Sequence, residues 1–477
     1  MRPTTRLLAR NRRRSAPCRI SPRWLILPLA VLLATSFATT ASAGTWIPPS
    51  FDQPVQFHIE QIAVEGVRQA SADVIVSETL LQQGLRYSES ELREAVYRVQ
   101  RLPFVFAADF SLAKGSERGK YRLLIDIEEA ETFFFGGDLI YNSFSGSLAD
   151  GGAFEDDLQD TLTAGVRAFA GHGMFFAAVG DSEDLQVGYT RYRLLDRPVL
   201  FRLAYAREKC CAQRLRDPAL DPGLASWTNT GDSDRLQLTL GIPLGGNHSL
   251  RFDASQLETD SATRRPLGTG FDASSTSLEG LEQREVELAW VYDTTDDPIF
   301  PSRGDAVTTA IGIRQLEGDL TSLSDPDGFI DSAFPHSATA LGELSSRLVS
   351  LSLYGARHWP VASRQTVSLS LKLLLGRAEI DNLPTDDLRL VNETVDTLEA
   401  DFGVRYSVDL LGPRVARRLG ELRWETVANV LYVDSSPVVG ALGRPLWGVS
   451  ASSSLALRNA WGVFRIGFAI LDYDGDL

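Results

Sequence analysis

The chain has 477 residues, with 47 Lys and Arg against 62 Asp and Glu, a formal charge of −15. Such acidity argues against nucleic acid as a partner, because binding to a phosphate backbone rests on basic surface. Three cysteines and five histidines offer neither a disulfide framework nor a metal cluster: Cys18 is isolated, Cys210 and Cys211 are adjacent, and the histidines are scattered.

The N-terminus carries arginines at 2, 6, 10, 12, 13, 14, 19 and 23 and no acid before Asp52. An apolar run from Trp24 to Leu33 follows, then a polar stretch ending Ala41-Ser42-Ala43. This order reads as an export signal over residues 1–43, cleaved after Ala43, rather than a membrane helix, for which the run is too short. Residues 44–56 form a leader.

Phe57 to Val64 reads as a strand with a turn at Glu65-Gly66. Ser71 to Gln83 predicts a helix offering Val74, Leu80 and Leu81 for packing and stopped by Gly84. A second helix is more sharply marked. Ser88 and Glu91 have the spacing of a capping box, and Leu92, Ala95, Val96 and Val99 supply a buried stripe. After Pro103, Phe104 to Leu112 and Tyr121 to Glu128 read as a hairpin around the polar loop 114–119. The order is strand, helix, helix, strand, strand, and no nucleophile, acid and base converge in it. It is a docking module rather than an active site.

Three stretches, Ile62-Ala63-Val64-Glu65-Gly66, Gly84-Leu85-Arg86-Tyr87-Ser88 with Glu91-Leu92, and Leu102-Pro103-Phe104-Val105, resemble a POTRA domain, the periplasmic polypeptide-transport-associated repeat. The resemblance implies one α/β domain over 57–132 that receives client chains or partners by strand addition at a sheet edge. Only one copy fits.

From Thr132 onward the rhythm changes to a period of two. Leu185 to Arg193, Val199 to Tyr205, Arg235 to Leu240, Ser249 to Ala254, Val286 to Tyr292, Ala306 to Ile313, Leu348 to Tyr354 and Val367 to Leu375 all alternate. Strands of about ten residues suit a tilted membrane crossing. The mean hydropathy of −0.08 argues against a helix bundle and fits a barrel, in which one strand face lines a polar lumen. Long polar segments at 212–231, 258–282, 316–338 and 379–396 alternate with tight turns at 171–173, 195–198, 245–247 and 360–364. The pattern predicts long outer loops and short periplasmic turns on an antiparallel transmembrane β-barrel over residues 133–477.

Two motifs lie inside this region. Asp293 to Gly304 has clustered acids, but its spacing does not match a calcium loop. It resembles the aspartate-rich turn of the Omp85 superfamily that ends in proline, a small residue, arginine and glycine, here Asp297, Pro301, Arg303 and Gly304. Val404-Arg405-Tyr406, leading to Gly412-Pro413, resembles that superfamily's inward-folded sixth loop without its core glycine. The resemblance implies that Arg405 enters the lumen and pairs with Glu421 on the wall as a latch; a planar guanidinium can meet a carboxylate with two hydrogen bonds. The plainer alternative is an arginine on an ordinary polar strand face. The family barrel has sixteen strands, whereas about fifteen are countable after Phe133, so the final strand is expected to be missing or the closure unusual.

These features imply a non-enzymatic protein of the bacterial outer membrane that assists insertion or translocation of polypeptides by lateral strand exchange. Its partners would be outer-membrane lipids, unfolded client chains and periplasmic or lipoprotein partners, with no nucleic acid, cofactor or metal. A passive channel or surface structural barrel is the alternative. No nucleophile elbow or phosphate-binding loop supports an enzyme.

Overall fold

The computed structural model describes residues 55–145, 155–180, 184–195, 197–208, 214–215, 227–229, 232–264, 275–324, 337–384, 390–412, 415–416, 419–436 and 446–474. The expected signal, most of the leader, and all three cysteines lie outside them.

The N-terminal module comprises β1 (Gln56–Glu65), α1 (Ala72–Thr79), β2 (Arg86–Ser88), α2 (Glu89–Gln100), β3 (Val105–Lys114) and β4 (Lys120–Glu129). Its sheet runs β2-β1-β4-β3, with β1 parallel to β4. Ile59, Val74, Ile75, Leu92, Val99, Phe104 and Ile125 form its buried core, because the apolar stripes of both helices face the sheet. The predicted capping box is present: the Ser88 side chain accepts from the Glu91 amide, and Glu91 accepts from the Ser88 amide at 2.6 Å. Helix α1 ends at Thr79, not Gln83. The Thr79 hydroxyl donates to the Val76 carbonyl at 2.6 Å and accepts from the Leu81 amide at 3.2 Å, and Leu80 turns left-handed with φ of 56°. Such local back-bonding competes with helix propagation. Glu129 accepts from the amides of Gln69 and Ala70, at 3.1 and 2.9 Å, and fixes the chain entering α1.

The second sheet begins with β5 (Phe133–Ser145), β6 (Glu155–Phe169), β7 (Gly173–Gly180), β8 (Asp184–Arg191) and β9 (Leu200–Glu208). Two short rim strands follow, β10 (Arg214–Leu215) and β11 (Trp227–Asn229). Then come β12 (Ser233–Gly245), β13 (His248–Arg264), β14 (Ser275–Asp293), β15 (Gly304–Ser324), β16 (Ser337–Ala362) and β17 (Gln365–Pro384). The last are β18 (Leu390–Asp409), β19 (Glu421–Ser436), β20 (Leu446–Arg458) and β21 (Val463–Asp474). Fifteen of these close into a barrel, β9 meeting β12 and β21 meeting β5. Fifteen is the number counted from the sequence, and an odd count forces one parallel pair. That pair is β21 with β5, in register from Phe464 opposite Gly137 to Asp472 opposite Ser145. Among the described residues each of the fifteen wall strands is paired on both sides, as hydrocarbon requires.

Because β5 starts just after β4, the turns at 170–172, 245–247, 294–303, 363–364 and 459–462 share the module's end of the barrel. The predicted tight turns fall at this end. On the outward face, Leu139, Leu162, Phe175, Leu203, Ile242, Leu288, Ile311, Leu351, Phe402, Val449 and Phe468 are exposed. His248, Trp290 and Tyr292 stack at its lower border, with Trp290 and Tyr292 centroids 6.4 Å apart. An apolar belt edged by aromatic rings on a closed sheet is the surface of a bilayer-spanning barrel. Among the described residues no helix is long and apolar enough to cross a membrane.

All four predicted polar loops are partly strand, 212–231 holding β10 and β11. Strands β13 and β14 run into 258–282, β15 and β16 into 316–338, and β17 and β18 into 379–396. Their outward faces there carry charge, which gives ladder segments the composition of loops.

Candidate functional site at the module end of the barrel

Asp293 closes β14 and Gly304 opens β15, and the turn between them is built by its own acids. Asp296 accepts from the amides of Ser302 at 2.8 Å and Arg303 at 3.2 Å. Asp297 accepts from those of Ile299 at 2.8 Å and Phe300 at 2.7 Å. Gly304 has φ of 107°, and a Cβ there would lie 2.4 Å from the Thr294 carbonyl oxygen. Only glycine fits. With its carboxylates bonded to backbone amides, the segment folds as a turn. Among the described residues no group of three or more His, Cys, Asp and Glu side chains is placed to hold a metal.

The turn reaches strands far from its own. Arg458, the last residue of β20, donates through Nη1 to both Asp297 oxygens, at 2.7 and 2.6 Å. Its Nε lies 3.1 Å from Glu421 Oε2, an ion pair without hydrogen-bonding geometry, since Nε has no hydrogen-bond partner. Phe300, 3% exposed, sits between two cations, 4.8 Å from the Arg423 guanidinium and 5.5 Å from that of Arg458. Arg423 is held in turn by Asp409 at 2.7 Å. Burial alone would raise the Asp297 carboxyl, but Arg458 and the two amides outweigh it and hold it below the usual carboxylate range.

The module meets the same cluster. The ring of Phe106, at the bulge in β3, lies 5.9 Å from the Arg458 guanidinium. Arg101, capping α2, donates to the carbonyl and carboxylate of Asp293 and to the Thr295 carbonyl, at 2.9 to 3.0 Å. Arg303 stacks over Tyr97 of α2 and donates to its hydroxyl. Arg98 donates to the Gly246 carbonyl at 2.9 Å, and the Ser71 amide to the Gly171 carbonyl at 2.6 Å. Arg193 pairs with Asp73 at 3.4 Å. Beside these contacts is Glu78 on α1, pushed up to about 7 by desolvation against the pull of Arg98 and Arg101.

The parallel seam starts here too. Arg167 of β6 donates to the carbonyls of Glu131 and Ala460, both at 3.0 Å, and stacks over Phe134. The Phe135 amide donates to the Trp461 carbonyl at 3.0 Å. A Cβ on Gly462 would stand 1.8 Å from the Phe135 carbonyl oxygen. Outside the seam, Leu139, Leu162, Leu455 and Ile466 line an apolar groove of about 700 Å³.

The structure does not bring Arg405 and Glu421 together. Val404 to Tyr406 belong to β18, hydrogen-bonded on both sides, with Arg405 opposite Ser368 and Val427. Val427 is six positions along β19 from Glu421, roughly 20 Å. The inward-folded loop expected over 404–413 is therefore a strand followed by a connection at the module's end. Arg405 faces the lumen, where its charge bears on Tyr354 and His358, while Val404 and Tyr406 face outward, Tyr406 packing edge-on to Trp424. Gly412 lies in the connection, and Pro413 outside the described residues. Glu421 does face an arginine, but it is Arg458. Of the predicted set, the structure clusters Asp297, Pro301, Arg303, Gly304 and Glu421; Arg458, Phe300, Arg423 and Phe106 were not foreseen. One signal was available: Arg458 is the only charged residue of β20.

No family model and no curated protein matches the chain. Among solved structures it is similar to BamA from Haemophilus ducreyi lacking POTRA domains 1-3, at 12% identity and a TM-score of 0.37 over 87% of this chain and 80% of that one. It is similar to CdiB from Acinetobacter baumannii at 10% identity and a TM-score of 0.36, over 87% and 74%. The ferric citrate transporter FecA follows at 9% identity and 0.32, over 84% and 66%.

Proposed function

We propose that this is an Omp85-type protein of the Gram-negative outer membrane that helps polypeptides insert into or cross that membrane. Residues 1–43 serve as its export signal, 57–132 as a single periplasmic POTRA domain, and 133–477 as the barrel. Its partners are outer-membrane lipids, unfolded client chains and periplasmic or lipoprotein factors, and it performs no catalysis of its own.

One observation carries the reading. The module's edge strand β3, which among the described residues pairs only with β4, is separated along the chain from the barrel's parallel seam by β4 and the short link 130–132. An extended client added to β3 is delivered beside the seam. Parallel pairing is slightly weaker per residue than antiparallel, so the seam is the least costly place for the wall to part.

The test is insertion of a client barrel into vesicles by the full chain, with its genomic partners where these are needed. Leu139 and Ile466 are in register across the seam and both face outward. Leu139→Cys with Ile466→Cys, in a Cys210→Ser/Cys211→Ser background, should stimulate insertion when reduced and lose it when oxidised. Full activity with the seam locked would defeat lateral exchange; no activity in any form would defeat the assembly role.

A further inference from the structure

On the outer face of β14 to β17 the apolar belt ends on Val286, Ile313, Val349 and Leu375, each 38 to 47% exposed. The next outward-facing residue on each strand, counted away from the module, is a hydrogen-bond donor: Arg284, Gln315, Arg347 and Arg377, all exposed. The ladder sets them side by side. Directly opposed residues share a face; Gln315 lies opposite both Arg284 and Arg347, and Arg377, opposite Val349, is the diagonal neighbour of Arg347. One step further out the face turns acidic, with Glu282, Glu317 and Glu379 beside Ser345.

Height places the donor layer at a membrane border. Gln315 lies eleven positions along β15 from Gly304; at a rise of ~3.3 Å and a tilt of about 40° that is roughly 28 Å above the module-end turn, just past an apolar band of about 25 Å. The positive charge there is accessible. Among the described residues Arg347 pairs with no carboxylate. Arg284 meets Glu282 at 2.5 Å and Arg377 meets Asp396 at 3.9 Å, with 60 and 69% of the two arginine side chains exposed. Exposed pairs of this kind are weak, so a phosphate competes for both guanidiniums.

We propose that Arg284, Gln315, Arg347 and Arg377 form a binding surface for the phosphate groups of the outer-leaflet glycolipid. A guanidinium fork meets phosphate oxygens with two hydrogen bonds, and the apolar rows just below take the acyl chains. The acids one step further out repel a phosphate and so fix its depth. The choice of leaflet rests on the module lying in the periplasm; the surface itself stands independently of the assembly reading, since it concerns how the wall sits in lipid and not client handling.

The test is native mass spectrometry of the full chain in neutral detergent with purified lipid A. The unmodified protein should hold diphosphorylated lipid A at least tenfold more tightly than its dephosphorylated form or phosphatidylglycerol. Arg284→Gln with Arg347→Gln and Arg377→Gln should abolish that preference while the barrel still migrates as folded on unheated gels; Lys372→Gln, which removes a luminal cation of β17 paired with Glu399, should keep it. No preference in the unmodified protein, a preference that survives the triple variant or is lost in Lys372→Gln, or displacement by inorganic phosphate at equal concentration would overturn the proposal. A second measurement does not depend on the triple variant folding. Bimane on Gln315→Cys, in the Cys210→Ser/Cys211→Ser background and in vesicles of lipid A and phosphatidylethanolamine, should be quenched by a spin label at the headgroup and not by one in mid-chain. Any other pattern would overturn the proposal as well.

Discussion

Arg458 and Asp297 are 161 positions apart in the chain, yet one guanidinium nitrogen lies within 2.7 Å of both carboxylate oxygens. The contact ties the turn between β14 and β15 to the end of β20, across the four strands β16 to β19. Arg458 also touches Glu421 and Phe106, so one side chain links the turn, the barrel wall and the module. Arg458→Ala leaves two acids without their cation and should cost about 3 kcal/mol, in the range for removing one partner of a poorly exposed pair. Denaturation followed by tryptophan fluorescence measures the loss, and protease cleavage within 294–303 should appear under native conditions. Unchanged stability and cleavage would refute the tie.

The same pair sets an acid limit. Asp297 is depressed when folded, so its contribution is complete above the carboxylate's ordinary range and disappears as pH falls through the lowered value. Asp297→Asn should flatten the acid limb of the stability curve. An identical limb in the variant would show that other carboxylates dominate it.

Glu78 has the opposite sign. Its carboxyl is raised to about 7, so docking of the module is favoured below the unfolded value of about 4.5 and weakens as pH rises through 7, by at most about 3 kcal/mol. Distance measurements between spin labels on α2 and on the 245–247 turn should show the module loosening progressively between about pH 4.5 and 7 and no further above that. Glu78→Gln should hold it docked throughout; a variant with unchanged pH dependence would remove Glu78 from the explanation.

Gly304→Ala places a Cβ 2.4 Å from the Thr294 carbonyl at a left-handed φ. A cost of about 2 to 3 kcal/mol follows from the strain, and the turn should lose its grip on Arg458. A folded variant as stable as the parent would show that the turn adapts.

Much of this was legible in the sequence, for physical reasons. The Ser88 and Glu91 cap is local, and so is the two-residue alternation from which fifteen strands were counted. The Asp297 to Gly304 turn was located because its own side chains bond its own amides. Arg458 was not legible as the hub, since nothing within a few residues reveals that Asp297 lies across the barrel from it. Arg405 was placed by resemblance, and ladder bonds to Ser368 and Val427 decided otherwise. The far strand ends were read as loops because apolar side chains switch parity within β15, from Ile311 and Ile313 to Leu316 and Leu320. A single-face pattern test treats that switch as the end of a strand.

The number fifteen has a directional consequence. Up and down must alternate around a ring, and an odd ring cannot alternate everywhere; β21 and β5 are where the mismatch is stored. A guest strand of the opposite sense placed between them would meet an antiparallel neighbour on each side, bringing the circle to sixteen and removing its one like-directed pair. Any odd number of guests would restore the alternation, and a single one must run opposite to both β21 and β5.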